Sequence, residues 1–231
     1  MDLSVRSDLP EAMDDPGLDE ATYRRCLSDL AALNRLTLTH QAALRWLDHA
    51  IGSAPAKAFS VLDVAYGQGD LLRALAALAE RRGWRVQLRG IDLNPRSAAA
   101  AKAATPAGMQ IDYRIGDVFA YQPETRPDFI VSSQFSHHLS DSDIVRLLQW
   151  LESNARIGWM ITDLQRHFLP YYGFRYLAAA MRWHRIVRDD GTISIARGFR
   201  RRDWKALLQR AGVPAVIQWR FPFRYTVSRL I

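Results

Sequence analysis

Val61-Leu62-Asp63-Val64-Ala65-Tyr66-Gly67-Gln68-Gly69-Asp70 is the stretch that decides the fold. An apolar run, Phe59–Val64, breaks into two closely spaced glycines and then enters the amphipathic pattern Leu71–Arg82. That is a buried strand, a tight turn and a helix in immediate succession. Downstream the alternation continues. Val86–Asp92 reads as a strand, Arg96–Ala104 as a helix, and Ile111–Ile115 and Phe129–Ser132 as strands. Ser140 caps a helix with the apolar face Ile144, Leu147, Leu148 and Leu151, and Asp143 stands three residues past the cap. Gly158–Leu164 reads as a fifth strand. Strand–helix–strand repetition specifies a parallel sheet covered on both faces. Val213–Trp219 and Phe223–Leu230, joined by a short turn around Phe221-Pro222, add an antiparallel pair. The expected fold is therefore α/β and doubly wound: a mostly parallel seven-stranded sheet with an antiparallel C-terminal strand pair, plus N-terminal lid helices.

Residues 1–17 are polar and read as a tail or lid. A helix beginning at Asp19 carries Tyr23, Leu27, Leu30 and Leu33 on one face. A second carries His40, Ala43, Leu44, Leu47 and Ile51, stops at Gly52, and precedes a break at Pro55. The expected organisation is a tail with lid helices over 1–52 and a Rossmann-like domain over 53–231. Residues 167–176 are densely aromatic; Phe168, Tyr172 and Tyr176 recur at helical spacing as a candidate core stripe, with Tyr171 expected to be more exposed than Tyr172. Trp204, Leu207, Leu208 and Ala211 mark a late helix ending at Gly212.

The 231 residues suit one α/β domain, and with 48% hydrophobic and 24% charged residues the chain is not disordered. No apolar stretch approaches the ~18 residues of a membrane span, and the acidic start lacks a signal-peptide core. One cysteine, Cys26, gives neither a disulfide nor a cysteine metal cluster. A cytoplasmic protein without a membrane partner is expected. Net charge is +7, and residues 1–20 hold seven acids and one base, so the body is strongly basic. That leaves a nucleic-acid partner open, with Arg197, Arg200, Arg201 and Arg202 as its phosphate grip. A solvated basic surface is the simpler reading.

The glycine loop points to an adenosine ligand. In a doubly wound sheet the ligand crevice lies beyond the carboxyl ends of the strands. Gly67 and Gly69 let backbone approach such a ligand. Asp92 ends the second strand, where a carboxylate can accept from a ribose diol. Asp117 follows the third strand, placed for an adenine amino group. A pyrophosphate would meet Asp63 and Asp70, and one like-charge pair at about 4 Å costs about 4 kcal/mol at an effective dielectric of about 20. The third glycine of a dinucleotide fingerprint would fall on Leu72. A cationic nucleoside bearing an amine and a sulfonium, S-adenosylmethionine, fits the acids.

From Phe59 to Leu164 the chain resembles the class I S-adenosylmethionine-dependent methyltransferases. Its glycine motif corresponds to Asp63–Gly69, its ribose acid to Asp92, its adenine acid to Asp117, and its post-strand-four motif to Ser132-Ser133-Gln134-Phe135-Ser136-His137-His138-Leu139. Ala65 departs from the family's usual glycine. The resemblance implies cofactor contacts from Asp63, Ala65, Gly67, Gly69, Asp92, Leu93, Asp117, Val118 and Ser133. Ser132-Ser133-Gln134-Phe135 stands where amino-group methyltransferases for DNA bases carry Asn/Asp-Pro-Pro-Tyr, so that chemistry is disfavoured. Gly198-Phe199-Arg200 before Asp203-Trp204 is similar to small-molecule enzymes of the quinone and polyketide-tailoring kind.

Methyl transfer needs alignment and, for a hydroxyl acceptor, a base. His137 and His167 are the candidates, with His138 expected to brace the loop. Phe135, Tyr171 and Tyr172 are candidate acceptor contacts. Asp141 and Asp143 read as helix caps, and no metal-ligand constellation is expected. The leading expectation is methylation of a small aromatic or quinone-like acceptor, on a hydroxyl oxygen. An RNA methyltransferase and a non-catalytic cofactor-binding domain stand beside it.

Overall fold

The structure, a computed structural model, describes residues 2–52 and 58–231. The break expected at Pro55 and the unit boundary at residue 53 lie outside the described residues. Seven strands, β1 (Ala58–Val64), β2 (Arg85–Asp92), β3 (Ile111–Ile115), β4 (Phe129–Ser133), β5 (Gly158–Leu164), β6 (Val216–Arg220) and β7 (Arg224–Leu230), form one sheet. Their order is β3-β2-β1-β4-β5-β7-β6. β1 pairs in parallel with β2 and β4, aligning Asp63 with Gly90 and Val131. β7 is antiparallel to both β5 and β6. This is the doubly wound sheet that the alternation predicts.

The helices are α1 (Glu20–Leu36), α2 (Gln41–Gly52), α3 (Asp70–Arg82), α4 (Pro95–Ala104), α5 (Asp141–Asn154), α6 (Phe168–Ala180), α7 (Arg185–Arg197) and α8 (Arg201–Ala211). Local chemistry sets their ends. Asp19 accepts from Thr22 N–H, Asn94 from Arg96 N–H ahead of Pro95, and Ser140 from Asp143 N–H. Gly83 and Gly212 stop α3 and α8 with left-handed φ of 64° and 67°.

Alternate residues of the central strands feed two apolar layers. Phe59, Val61, Phe129 and Met160 pack with Leu47 and Ile51 of α2 and Leu71, Leu72 and Leu75 of α3. Leu62, Val64, Ile130 and Ile161 pack with Ile144, Leu147 and Leu151 of α5 and Trp204 and Leu207 of α8. Thus α2 belongs to a sheet layer, whereas the expectation had it in the lid. α1 instead joins α6 and α7, with Cys26, Ala178, Trp183 and Val187 buried together. Among the described residues no helix is long and apolar enough to cross a membrane.

The aromatic segment corrects the sequence reading. Phe168, Tyr172 and Tyr176 do share a face, but it is the outer one: they are 56%, 51% and 75% exposed. Tyr171 is half-buried, the reverse of the expected order. The inner face of α6 is set by Phe174, Leu177 and Ala178, which pack on α1 and α7. The helix α7 is itself unannounced, because Gly191 and the β-branched Thr192 and Ile193 dilute its pattern. Gly191 is there for packing: a Cβ on it would lie 2.2 Å from the Phe174 ring.

The tail is bound along its length. Arg166 donates to Leu3 O, Gly198 O and Asp203, and is 2% exposed. Arg200 donates to Leu3 O and Arg202 to Ser4 O. Arg197 donates to Leu9 O, His137 O and His138 O. Three of the four arginines read as a phosphate grip therefore bind this chain's own carbonyls.

An Ala in an open helical position is worth about 1 kcal/mol over Gly. At the crowded position 191 the sign should reverse. Gly191→Ala is expected to destabilise by about 1–3 kcal/mol, read as a lower urea midpoint at unchanged m-value.

Candidate active site

The turn after β1 is a chain of left-handed residues, with φ of 61° at Ala65, 54° at Gly67 and 74° at Gly69. Ala65 occupies a conformation that costs a non-glycine residue about 1–2 kcal/mol; its N–H is held by Ile91 O at 2.8 Å. The two glycines serve different ends. A Cβ on Gly67 would meet nothing within 4 Å, so this residue faces open space. A Cβ on Gly69 would lie 2.5 Å from Tyr113 Oη, so Gly69 is required by the protein's own packing rather than by a ligand.

Asp92 orders this turn. One carboxylate oxygen accepts from Gly67 N–H at 2.8 Å and the other from Asn94 N–H at 2.9 Å. Ser97 also bonds to this carboxylate, and of its four lone pairs one is left for a ligand. Beside it Leu93 is 72% exposed, an apolar side chain held over the strand ends. Asp117 is exposed and braced by Phe119 N–H at 2.9 Å. The Val118 side chain is buried in the sheet core, so any contact of this residue with a ligand is through its backbone.

Asp63, Ala65, Gly67, Asp70, Ser133 and Gln134 line a cleft of about 150 Å³, roofed by Leu30 and Asn34 of α1 and by His40. Burial, reinforced by the charges of Asp70 and Asp92, pushes the Asp63 carboxyl well above the ordinary carboxylate range. Burial acts the same way on Asp70. There the bond and charge of His40 at 2.8 Å, with a bond from Asn34, prevail and bring it down to about 2. The expected core histidine His40 thus fastens the lid to the start of α3. The buried polar atoms Ser133 Oγ, Gln134 Nε2 and Gln68 Oε1 have no hydrogen-bond partner. An acid without a cation, unpaired donors and acceptors, and an open glycine face form a fitting cradle for a zwitterionic, cationic nucleoside. Arg35, at the exposed end of α1, takes no part in it.

A second cavity, of about 370 Å³, adjoins this cleft, and Leu30, Asn34 and Gln134 line both. Its wall is mostly apolar, from Leu33, Leu164, Leu169, Phe174, Leu177 and Phe223. Its polar groups include Glu11, His137, His138 and Arg224. His137 is 3% exposed; its Nδ1 lies 2.7 Å from Asp163 Oδ1, and its own N–H donates to Asp163 Oδ2 at 3.0 Å. Burial pushes Asp163 up, but the charge and bonds of His137 hold it below the usual carboxylate value. Burial also raises the carboxyl of Glu11. Arg224, donating to Thr37 and Thr39, is lowered by burial to about 10.

Several expected contacts fall elsewhere. Gln134 adopts φ 60°, which reverses the facing of its neighbours: Gln134 meets the cavity, and Phe135 packs against the core beneath α5. His167 caps α6, accepting from Leu169 N–H, and stacks between Phe168 and Phe223. Neither it nor Tyr171 nor Tyr172 lines the cavity. His138 does so together with His137; the rings lie 4.3 Å apart, because the short 3-10 turn Ser136–His138 presents both to the tail. Glu11 has no sequence signal at all, being delivered from 126 positions away.

Residues 61–158 match the family model described as a methyltransferase domain. No curated protein sequence matches the chain. Among solved structures, a SAM dependent methyltransferase from Aquifex aeolicus superposes at a TM-score of 0.65, with 18% identity, covering 93% of this chain and 99% of that one. The plantazolicin methyltransferase BamL, solved with a triazolic desmethylPZN analog and SAH, gives 0.68 at 13% identity, covering 90% of each chain. Magnesium protoporphyrin IX methyltransferase from Synechocystis PCC 6803, with bound SAH, gives 0.57 at 14% identity over 94% and 90%. Fold and matched domain agree: residues 61–158 match a methyltransferase domain, and the chain has the doubly wound, Rossmann-like sheet of the class I methyltransferase fold.

A cationic amine bound beside Asp63 favours the ionised carboxylate. Below the raised value of Asp63 a proton must therefore leave before the ligand binds. Affinity for S-adenosylhomocysteine, titrated calorimetrically, is expected to fall as pH drops through that value, and Asp63→Asn should flatten the profile. Asp92→Ala should weaken binding at least tenfold at every pH.

Proposed function

We propose that the protein methylates a small, largely apolar acceptor on a hydroxyl oxygen. The observation that carries this reading is the 370 Å³ apolar cavity that shares Gln134 with the cofactor cleft and presents the buried His137–Asp163 pair. In this reading the adenosine lies over Leu93, its ribose on Asp92 and its base near Asp117. The amine and carboxylate of the methionine portion lie along Asp63, Ala65, Gly67 and Ser133, with Gly69 shaping the turn behind them. When bound, the cofactor supplies an already activated methyl group. The chain's own residues then bind, orient and exclude water.

The cavity wall takes an apolar body, and His137 receives the hydroxyl end. Asp163 fixes the imidazole by two contacts, so Nε2 is the free ring atom facing the cavity. Nε2 would take the acceptor's proton as the oxygen bonds to the methyl carbon and the carbon–sulfur bond to the donor breaks. Enclosure between α1, α6 and α7 keeps competing water away. The desmethylPZN analog and the magnesium protoporphyrin IX named for two structures of this fold are organic molecules rather than nucleic acids, which supports a non-nucleic-acid acceptor here. RNA is a poorer candidate, since Arg197, Arg200 and Arg202 are committed to the tail's carbonyls.

Incubating the enzyme and methyl-labelled cofactor with a panel of phenols and hydroxyquinones, and separately with structured RNA, tests this. Label is expected in the phenolic fraction, and label confined to RNA overturns the reading. On the accepted substrate, His137→Ala should lower kcat by about 10²-fold or more while S-adenosylhomocysteine affinity stays unchanged.

A further inference from the structure

The tail carries Glu11 into the acceptor cavity opposite two adjacent imidazoles. Glu11 Oε1 lies 3.8 Å from His137 Nε2, and Glu11 Oε2 lies 3.9 Å from His138 Nε2. One ligand atom from each of the three groups falls within 4.8 Å of the others. A tetrahedral ion with bonds of about 2.0–2.1 Å holds its ligand atoms about 3.4 Å apart. The closure required is therefore a side-chain adjustment of about 0.4–1.4 Å.

The surroundings are those of a built site. Each imidazole has its other nitrogen against a carboxylate: His137 Nδ1 is 2.7 Å from Asp163, and His138 Nδ1 is 3.1 Å from Asp14. Such partners fix the tautomer that leaves Nε2 with its lone pair free for a metal. Glu11 is 7% exposed, and its Oε1 is buried with no hydrogen-bond partner. An orphaned carboxylate oxygen in this position asks for a cation or a proton. Both halves are pinned. Asp190 accepts from Ala12 N–H and Met13 N–H at 2.9 and 2.8 Å, while one guanidinium, Arg197, holds Leu9 O, His137 O and His138 O. Glu11, Asp14, Asp163 and Asp190 outnumber the nearby cations, which are Arg197 and Arg6 behind the turn and Arg224 on the cavity wall.

We infer that Glu11, His137 and His138 bind one divalent first-row transition ion, with its remaining coordination positions open to the acceptor cavity. A two-histidine, one-carboxylate donor set suits Zn²⁺ and its neighbours rather than Mg²⁺ or Ca²⁺. The role of the ion rests on the proposed function: with His137 Nε2 bound to it, the ion would replace the imidazole as the group that meets the acceptor's hydroxyl oxygen, and the proton would leave to solvent. The ion's binding does not rest on that reading.

The test uses untagged full-length protein freed of metal by chelator dialysis, titrated with Zn²⁺ alone by calorimetry and with Co²⁺ by visible absorption. One ion per chain at micromolar affinity or tighter is expected, with the Co²⁺ bands of a low-symmetry site. Asp163→Asn should weaken binding about 10–100-fold, and Glu11→Gln and His138→Ala at least tenfold. His138→Ala replaces a side chain 27% exposed, so circular dichroism is expected to show an unchanged fold. Absence of saturable binding by the wild type, or equal affinity in Glu11→Gln and His138→Ala, overturns the proposal. S-adenosylhomocysteine affinity of the metal-free protein is measured in parallel. Its loss would count against the methyltransferase reading alone, and leave the ion site standing.

Discussion

Polar side chains in this sheet have one place to go, and the chemistry follows from that. The central strands β1, β4 and β5 are apolar on both faces because helices cover both. Their acids are therefore driven to the carboxyl ends, where Asp63 and Asp163 sit almost wholly buried. A buried carboxylate needs compensation. Asp163 finds it in His137, whose ring and backbone it holds together. Asp63 has Asp70 and Asp92 for neighbours, and its compensation must come from a ligand. One rule of burial thus produces both an oriented imidazole and a cation-seeking cleft.

The second determinant is how the cap is tied on. His40 and Asn34 reach down to Asp70 and fasten α1 to the first turn of α3. Arg166, Arg197, Arg200 and Arg202 fasten the tail through its carbonyl oxygens. Guanidinium groups suit this task because their planar fork satisfies several acceptors at once. The positive charge that suggests a polyanion partner in the sequence is, in this region, internal scaffolding.

What was legible in the sequence was whatever has a short-range signal. All seven strands, the glycine turn and the carboxylates at the strand ends are readable because alternation, glycine spacing and strand-end acids are local patterns. The acceptor half is not, because it is assembled by contacts between distant segments. Glu11 and His137 meet across 126 positions, and no local pattern in the tail marks the acid. α6 misleads for a different reason: its aromatic residues repeat at helical spacing, and periodicity alone cannot say which face is inward. The cap's own packing, through Phe174 and Gly191, decides that. Phe135 fails on one backbone angle, the left-handed turn at Gln134.

That turn has a consequence of its own. Gln134 is a partition wall: one surface lines the cleft beside Asp63 and the other the apolar cavity, and its amide nitrogen is unpaired within the protein. Whatever fills either chamber sets where this amide rests, and so reshapes the other. By thermodynamic reciprocity the two occupants cannot then bind independently. Each alters the other's affinity by the same factor, through the shared side chains of Leu30, Asn34 and Gln134.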